Sequence, residues 1–555
     1  MNLLSFKKPN IPASLKYSKV PLNRILEDSA QEFPNRYAVI FEDFSITYSD
    51  LNSLANRFAN SLKDYLHVNK GDRVAVFLPN QSQFIIAFYG IIKTGAIAVL
   101  LDAMSKEQEL YHFLKDSGAE TIITSEHLCP IVNQVQRDLK LKTVIVCKPN
   151  DSVSVFTSIN KSEMNYILKN GNVSLLELIL ASEPHHPEVN IDSKDIATIM
   201  YTGGTTGSPK GVMHTHYNHI VTVTQQSTWW GLGKGCETGG LFIPVTHVGG
   251  LCCSLNMLIH IAGTIVLMQR FDPSQFLKLI QEHGIGFVCA VPTVYLALAS
   301  HPDVEKYDLS TLKVCLSGGA HLPFEVWSLF KSKIGVGITN GFGMTESSSQ
   351  ITLCPPGFFK KELIGLPIPD TQVKIVDPEN GDKILGVREE GEIVAKGPQF
   401  MKGYWENPEE TDATVRGGWL FTGDLGLFDE NGLFYHIGRK KELINTGGLK
   451  VWPNEVEGVL YDNQAVKEAI VIGVTDKYWG EKVKAFVVLE PEYNVKVSEN
   501  DIIQYCKTKL SRFKAPKEVE FREKIPKTPL GKPLRRVLVE EEKEKELNLK
   551  SQKQQ

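Results

Sequence analysis

The hydrophobic pattern of the chain changes period several times, and from about residue 70 short apolar runs alternate with segments of helical period. One helix is predicted at 81–94, and Ser105 with Gln108 has capping-box spacing that predicts another helix to about Lys115. This alternation indicates an α/β fold in which helices cover sheets of parallel type. Strands are predicted at 73–78, 96–101, 121–124, 195–201, 263–268, 286–291 and 312–317.

The pattern becomes turn-rich near residue 360, where alternating segments predict a smaller β-rich subdomain. After Arg439, apolar runs at 469–474 and 483–489 and a helix from about Glu499 predict a compact α+β unit. The charged end of the chain is predicted to be a frayed helix end or disordered. The predicted organisation is a large N-terminal domain at 1–438, a small C-terminal domain at 439–540 and a charged tail at 541–555.

Composition and charge restrict the class of protein further. The chain has 555 residues, which is too many for one hydrophobic core, and a formal net charge of −4, which does not suggest a nucleic-acid partner. No apolar run reaches the roughly 18 residues of a membrane span, and the basic N-terminus lacks the apolar core of a secretory signal. The nine cysteines show no metal-ligand spacing and suggest a reducing compartment, so we expect a cytoplasmic protein.

The most informative segment is the glycine-rich stretch YTGGTTGSPKG at 201–211. Glycines allow backbone N–H groups to turn toward an anion, while hydroxyl groups and the ammonium of Lys210 add further donors. The stretch is not a Walker A loop, because Pro209 precedes the lysine and Gly211 follows it. A flexible surface loop is the ordinary structural alternative.

The full stretch YTGGTTGSPKGV resembles the signature of the adenylate-forming superfamily, which includes acyl-CoA synthetases, although Gly203 stands where that family usually has serine. Four more stretches resemble family motifs in the family's order: NGFGMTE at 340–346, WLFTGD at 419–424, GRKK at 438–441 and PKTPLGK at 526–532. The resemblance implies an enzyme that uses ATP, Mg²⁺ and coenzyme A, with a C-terminal domain that swings on a hinge.

The resemblance also implies roles for particular residues. Glu346 and Thr206 would hold Mg²⁺, Thr345 would contact the α-phosphate, and Asp424 would accept hydrogen bonds from the ribose. Without the motifs, a helix N-terminal acid is the structural alternative for Glu346, and the spacing around Asp424 favours a turn residue. The implied ATP contacts are Thr202, Gly203, Gly204, Thr205, Thr206, Gly207, Ser208, Lys210, Gly318, Gly319, Ala320, Asn340, Gly341, Phe342, Gly343, Met344, Asp424 and Arg439.

In the C-terminal part, the resemblance implies that Lys532 contacts the forming adenylate and that Lys441 is the hinge. Gly447 and Gly448 would line the tunnel for coenzyme A. A lone exposed lysine is ordinarily a solvated charge, so the role of Lys532 depends on its motif.

The expected acyl pocket follows the segment THVGG at 246–250, in which His247 would steer the carboxylate; a structural histidine is the alternative. Small residues are expected to leave room for a medium or long fatty acid, with an aryl or short hydroxy acid, or loading of a separate carrier protein, as alternatives. The sequence leaves open whether the protein forms a homodimer and whether it contacts a membrane surface. The expected pocket residues are His247, Val248, Gly250, Leu251, Ser254, Gly318 and Gly343, with Trp229 and Trp230 nearby.

Overall fold

The computed structural model describes residues 11–139, 141–148, 160, 162–164, 167, 173–202, 209–494, 496–527 and 533–552. Within these residues the chain forms three β-sheets with helices packed against them. Two sheets belong to the larger N-terminal part, and the third forms the core of the C-terminal part. The predicted α/β class is confirmed.

The first sheet has eight strands among the described residues; five of its seven pairings are parallel, and the two pairings of strand Gly211–Thr215 near one edge are antiparallel. Its central strands are buried, as their continuous apolar runs predict. The predicted strands at 73–78, 96–101, 121–124 and 195–201 are confirmed within one residue at each end. In spatial order the strands are Gly403–Tyr404, Gly211–Thr215, Ile196–Tyr201, Ile97–Leu100, Arg73–Phe77, Thr121–Ser125, Thr143–Cys147 and Val173–Ser174.

The second sheet joins a parallel half to an antiparallel half at strand Ile338–Phe342. The parallel half consists of Tyr37–Phe41, Thr264–Leu267, Thr238–Leu241, Phe287–Ala290, Val314–Ser317 and Ile338–Phe342, with Phe44–Thr47 antiparallel at the edge. The antiparallel half is the predicted β-rich subdomain. It contains Thr352–Leu353, Leu363–Pro367, Phe434–Arg439, Trp419–Phe428, Gly391–Lys396 and Gln372–Val376, and Val415–Arg416 pairs beside Trp419–Phe428.

Helices cover both sheets, and several begin at a side-chain cap. Thr215 accepts the backbone N–H of Asn218, and Asp272 accepts that of Gln275, so orphan donors of the first turn are satisfied. The helices are Arg24–Glu32, Tyr48–Asp64, Ser82–Lys93, Glu107–Ser117, Cys129–Gln136, Leu175–Ala181, His216–Trp230, Val248–Gly250, Met257–His260, Pro273–His283, Pro292–Ala299, Phe324–Ile334 and Pro408–Thr414, with a π-helical segment at Leu251–Asn256 and 3₁₀ turns at Glu126–Leu128, Val304–Lys306 and Thr345–Ser347.

The C-terminal part packs helices against a sheet with its own buried core. Its strands are Ile444–Thr446, Leu449–Val451, Val466–Asp476, Gly480–Leu489 and Glu518–Phe521. Its helices are Pro453–Tyr461, Glu499–Lys509 and Arg535–Gln552, with 3₁₀ turns at Lys440–Glu442 and Pro491–Tyr493. The segment expected to be a charged tail continues the last helix, and Glu542 in it pairs with the buried Lys484 at 2.9 Å.

One predicted helix start is wrong. The helix expected from Ser105 begins at Glu107, and Glu109 rather than Gln108 accepts the backbone N–H of residue 106, at 3.0 Å. Ser105 is itself buried, with its N–H directed to the carbonyl of Asp102. Among the described residues, no helix combines the length and apolar character that a bilayer crossing requires.

Candidate active site

The glycine-rich loop connects two strands of the first sheet, and hydrogen bonds between Thr202 and Lys210 join its two ends in what we call the neck. Strand Ile196–Tyr201 leads into the loop and strand Gly211–Thr215 leads out, and the two strands are antiparallel neighbours. At the neck the Thr202 N–H donates to the Lys210 carbonyl at 3.0 Å, and the Lys210 N–H donates to the Thr202 hydroxyl at 3.3 Å. The predicted contacts Gly203, Gly204, Thr205, Thr206, Gly207 and Ser208 lie outside the described residues.

Strand Gly403–Tyr404 places Tyr404 between Lys210 at the neck and Glu346. Tyr404 pairs with Val212 across the sheet edge, so its side chain lies beside Lys210, whose ammonium is 5.0 Å from the tyrosine ring centroid. The Tyr404 hydroxyl donates to Oε1 of Glu346 at 2.7 Å. Lys210 also forms an ion pair with Glu410. The predicted lysine and the predicted metal carboxylate are therefore brought together through a tyrosine that the motifs did not indicate.

Glu346 suits a magnesium ion by its chemistry and its environment. It is buried, and burial raises the pKa of its carboxyl, while Arg439 and Lys210 oppose that shift. Mg²⁺ commonly takes one or two protein carboxylates and completes its shell with water and substrate phosphates. Among the described residues, no cluster of three or more His, Cys, Asp or Glu side chains offers an all-protein metal site. A single buried carboxylate close to Lys210, at the end of the glycine-rich loop, fits this requirement.

Asp424 and Arg439 face each other across two antiparallel strands. The strand register pairs the two residues, and Nε of Arg439 lies 3.2 Å from Oδ1 of Asp424. His436 Nε2 lies 2.9 Å from the same oxygen. Asp424 in turn raises the pKa of the Arg439 guanidinium, so the cation is held strongly. The His436 ring centroid also lies 5.8 Å from that of Phe342, so one histidine contacts both the predicted ribose carboxylate and another predicted ATP contact.

The remaining predicted nucleotide residues follow the carboxyl ends of two parallel strands. Gly318–Ala320 follow strand Val314–Ser317. On the neighbouring strand Asn340 pairs with Ser317, and its side-chain amide donates to the Leu363 carbonyl at 2.8 Å. Ligands commonly bind at this edge of a parallel sheet. Gly319 has φ +75°, a conformation that favours glycine. Met344 lies at the start of the 3₁₀ turn Thr345–Ser347.

A chain of buried hydrogen bonds links the Thr345 carbonyl to the Cys252 thiol. His214 Nε2 lies 2.7 Å from the Thr345 carbonyl oxygen, so this nitrogen must carry a proton. Burial lowers the pKa of His214 to about 4, and its other nitrogen therefore accepts from the Thr198 hydroxyl, 3.4 Å away. Thr198 then accepts from His219 Nε2 at 3.0 Å, and His219 Nδ1 accepts from the Cys252 thiol at 3.5 Å.

The Thr345 carbonyl at one end of these hydrogen bonds can only accept. It therefore fixes the proton on His214 Nε2, and the donor and acceptor roles of Thr198, His219 and Cys252 follow. Burial lowers the pKa of His219 and raises that of the Cys252 thiol, so both groups stay neutral, as the chain requires. Cys252 lies between Leu251 and Ser254 in the π-helical segment. The expected acyl-pocket segment is thereby connected to the residue expected at the α-phosphate.

Five of the seven expected acyl-pocket residues lie on the segment that begins at His247, whereas Gly318 and Gly343 each follow a strand of the second sheet. His247 is exposed and precedes the helical turn Val248–Gly250, whereas Leu251 and Ser254 are buried. The expectation that glycines here leave room is wrong for Gly250 and Gly343. A Cβ on these glycines would lie 2.2 Å from the Pro244 carbonyl oxygen and 1.5 Å from that of Ser349. Close backbone packing, not an open volume, requires glycine at both positions.

The C-terminal residues of interest that the structure describes lie in exposed turns. Lys441 is exposed in the 3₁₀ turn Lys440–Glu442, and its neighbour Lys440 pairs with Glu392 at 3.1 Å. Gly447 and Gly448 form the exposed turn between two short strands, with φ +60° and +83°. Lys532 lies outside the described residues.

Several residues at the site escaped the sequence analysis: Tyr404, Glu410, His214, Thr198, His219, Cys252 and His436. Most lie far along the chain from the motif they contact, so local pattern could not indicate them. The cluster of histidines in GVMHTHYNH at 211–219 was a visible signal, because buried imidazoles need hydrogen-bond partners.

Comparison with known proteins gives similarity along nearly the whole chain. The AMP-binding enzyme family matches residues 26–405, and the AMP-binding enzyme C-terminal domain matches residues 455–532. A Bacillus subtilis (strain 168) protein named long-chain-fatty-acid–CoA ligase is 38% identical over 97% of this chain and 97% of its own length.

Two solved structures extend the similarity to the fold. ATP-bound MatB from Rhodopseudomonas palustris aligns with a TM-score of 0.84 and 26% identity, covering 94% of this chain and 99% of that chain. The o-succinylbenzoate CoA synthetase MenE from Bacillus subtilis, in complex with the acyl-adenylate intermediate OSB-AMP, aligns with a TM-score of 0.78 and 30% identity, covering 94% and 98%.

Proposed function

This chain belongs to the AMP-binding enzyme family, and from that premise we propose that it converts a long-chain fatty acid into its coenzyme A thioester. It is an ATP-dependent acid–thiol ligase of the AMP-forming type, which uses ATP, coenzyme A and Mg²⁺. The identity of the acid is the part that we infer. The observation that carries it is the 38% identity, over 97% of both chains, to a protein named long-chain-fatty-acid–CoA ligase.

In the first half-reaction a carboxylate oxygen of the acid attacks the α-phosphorus of ATP, and the bond to pyrophosphate breaks. Such a transfer depends mainly on positioning and on charge neutralisation. We propose that Lys210 and the loop at 202–208 bind the outer phosphates, and that Thr345 lies at the α-phosphate. Glu346 would hold Mg²⁺, which supplies positive charge at the phosphate oxygens when it is bound.

The ribose is the ligand that the Asp424 site fits. A buried carboxylate with one oxygen held by His436 and Arg439 is fixed in orientation, and carboxylate oxygens accept hydrogen bonds of the kind that two vicinal hydroxyl groups donate. Phe342, beside His436, would lie against the adenine. We propose that this group of residues orients the nucleoside while Lys532 contacts the forming adenylate.

In the second half-reaction the thiol of coenzyme A attacks the acyl carbonyl and AMP leaves. We propose that the C-terminal domain rotates about Lys441 between the two steps and brings Gly447 and Gly448 toward the acyl group. The exposed turn at these glycines supports this role, because small residues without side chains allow a narrow thiol arm to pass.

The test is pyrophosphate release with ATP and Mg²⁺ against acetate, octanoate, palmitate, benzoate and amino acids, with and without coenzyme A. We expect palmitate to be the best substrate and coenzyme A to accelerate turnover. Preference for benzoate would overturn the fatty-acid assignment, and stoichiometric release that coenzyme A does not relieve would point to a separate carrier protein as the acceptor.

We further propose a cytoplasmic location and a homodimer. The location is supported by cysteines that are mostly buried with neutral thiols, such as Cys315, whose pKa burial raises to about 12. Sedimentation of the purified protein tests the homodimer, and fractionation with a thiol-reactivity assay tests the compartment.

A further inference from the structure

The carboxylate that pairs with Lys210 is not part of any motif of the nucleotide site. Glu410 lies in the first turn of helix Pro408–Thr414, where its N–H is capped by the Asn407 side chain at 3.2 Å. This turn follows strand Gly403–Tyr404, which is anchored to the strand after the phosphate loop. The backbone therefore holds the Glu410 carboxylate opposite the Lys210 ammonium.

The pair leaves Lys210 in a definite position. Its ammonium contacts Glu410 and lies 5.0 Å from the Tyr404 ring centroid, and the Tyr404 hydroxyl reaches Glu346. The lysine is two-thirds buried and the glutamate about half buried, with exposed side-chain fractions of 33% and 46%. A triphosphate that uses this ammonium must compete with a carboxylate that already holds it.

We propose that Glu410 is a resting counter-ion for Lys210, which holds the lysine against Tyr404 and is displaced when ATP binds. This inference rests on the proposed role of Lys210 at the outer phosphates. Displacement costs binding energy, so the native carboxylate weakens ATP binding. It also keeps the lysine close to Glu346 and away from other anions until a triphosphate arrives.

The test compares Glu410→Gln with Glu409→Gln, an exposed neighbour in the same helix turn that makes the same change in net charge. Pairs of this exposure are worth up to about a factor of five in an equilibrium constant. We therefore expect Glu410→Gln to lower the Kd and the KM for ATP by about two- to five-fold with kcat unchanged, and Glu409→Gln to change neither. The gain should shrink at high salt, because the pair is screened.

A double-mutant cycle with Lys210→Met identifies the cause. If Glu410 acts through Lys210, Glu410→Gln has no effect on ATP affinity in the Lys210→Met background. Weaker or unchanged ATP binding by Glu410→Gln, or an equal gain in the Lys210→Met background, would overturn the proposal. Failure of the proposed function would look different, since the wild-type protein itself would then not bind ATP or release pyrophosphate.

Discussion

Replacement of Thr198 by valine should destabilise the N-terminal domain far more than its size suggests. The substitution keeps the shape of the side chain and removes one hydroxyl, which accepts from His219 Nε2 and donates to His214 Nδ1. Both imidazoles are fully buried, so two ring nitrogens lose their partners without access to water. Each orphaned polar group costs about 1–3 kcal/mol, and we expect a loss of about 3 kcal/mol.

Thr222→Val is the matched control, because Thr222 is equally buried but its hydroxyl donates to a helix carbonyl, that of Asn218. We expect a loss below about 1 kcal/mol there. Urea unfolding followed by tryptophan fluorescence measures the difference, since Trp229 lies on the helix that carries His219. With m of about 3 kcal/mol/M, Thr198→Val moves the midpoint by about 1 M. A shift no larger than that of the control would refute the hydrogen-bond chain.

Three further predictions concern catalysis and pH. We expect Lys532→Ala to slow pyrophosphate release by about 10²–10³-fold while ATP still binds, and unchanged release would contradict its assigned contact with the adenylate. Lys441→Pro should spare adenylation and abolish thioester formation in single-turnover assays, whereas equal loss of both steps would exclude rotation about this residue. Burial lowers the pKa of His214 and His216 from 6.5 to about 4, so the unfolded chain binds more protons between these values. The stability that is present above pH 6.5 should therefore be lost toward pH 4, by up to about 1.4 kcal/mol per pH unit for each histidine. Urea midpoints at pH 7, 6 and 5 measure this loss, and a flat profile would exclude neutral buried histidines.

The sequence alone was sufficient for the elements that depend on local pattern. Strands such as Arg73–Phe77 and Ile196–Tyr201 were predicted within one residue, because a buried strand must be apolar along its whole length. The motifs likewise indicated the family, since phosphate binding demands particular residue types at fixed spacing. The helix start at Glu107 was missed because a short polar segment offers several caps of similar strength.

Tertiary structure decided the contacts that join distant parts of the chain. Glu410 meets Lys210 only because strand Gly403–Tyr404 pairs beside Gly211–Thr215. Thr198 contacts two histidines because its strand pairs with the strand that carries His214 and also packs against the helix that carries His219. Sheet order and the positions of buried carbonyl groups set these contacts, and neither is written in local periodicity. The sequence therefore indicated the motif residues of the site, and the packing of the sheets determined which further residues contact them.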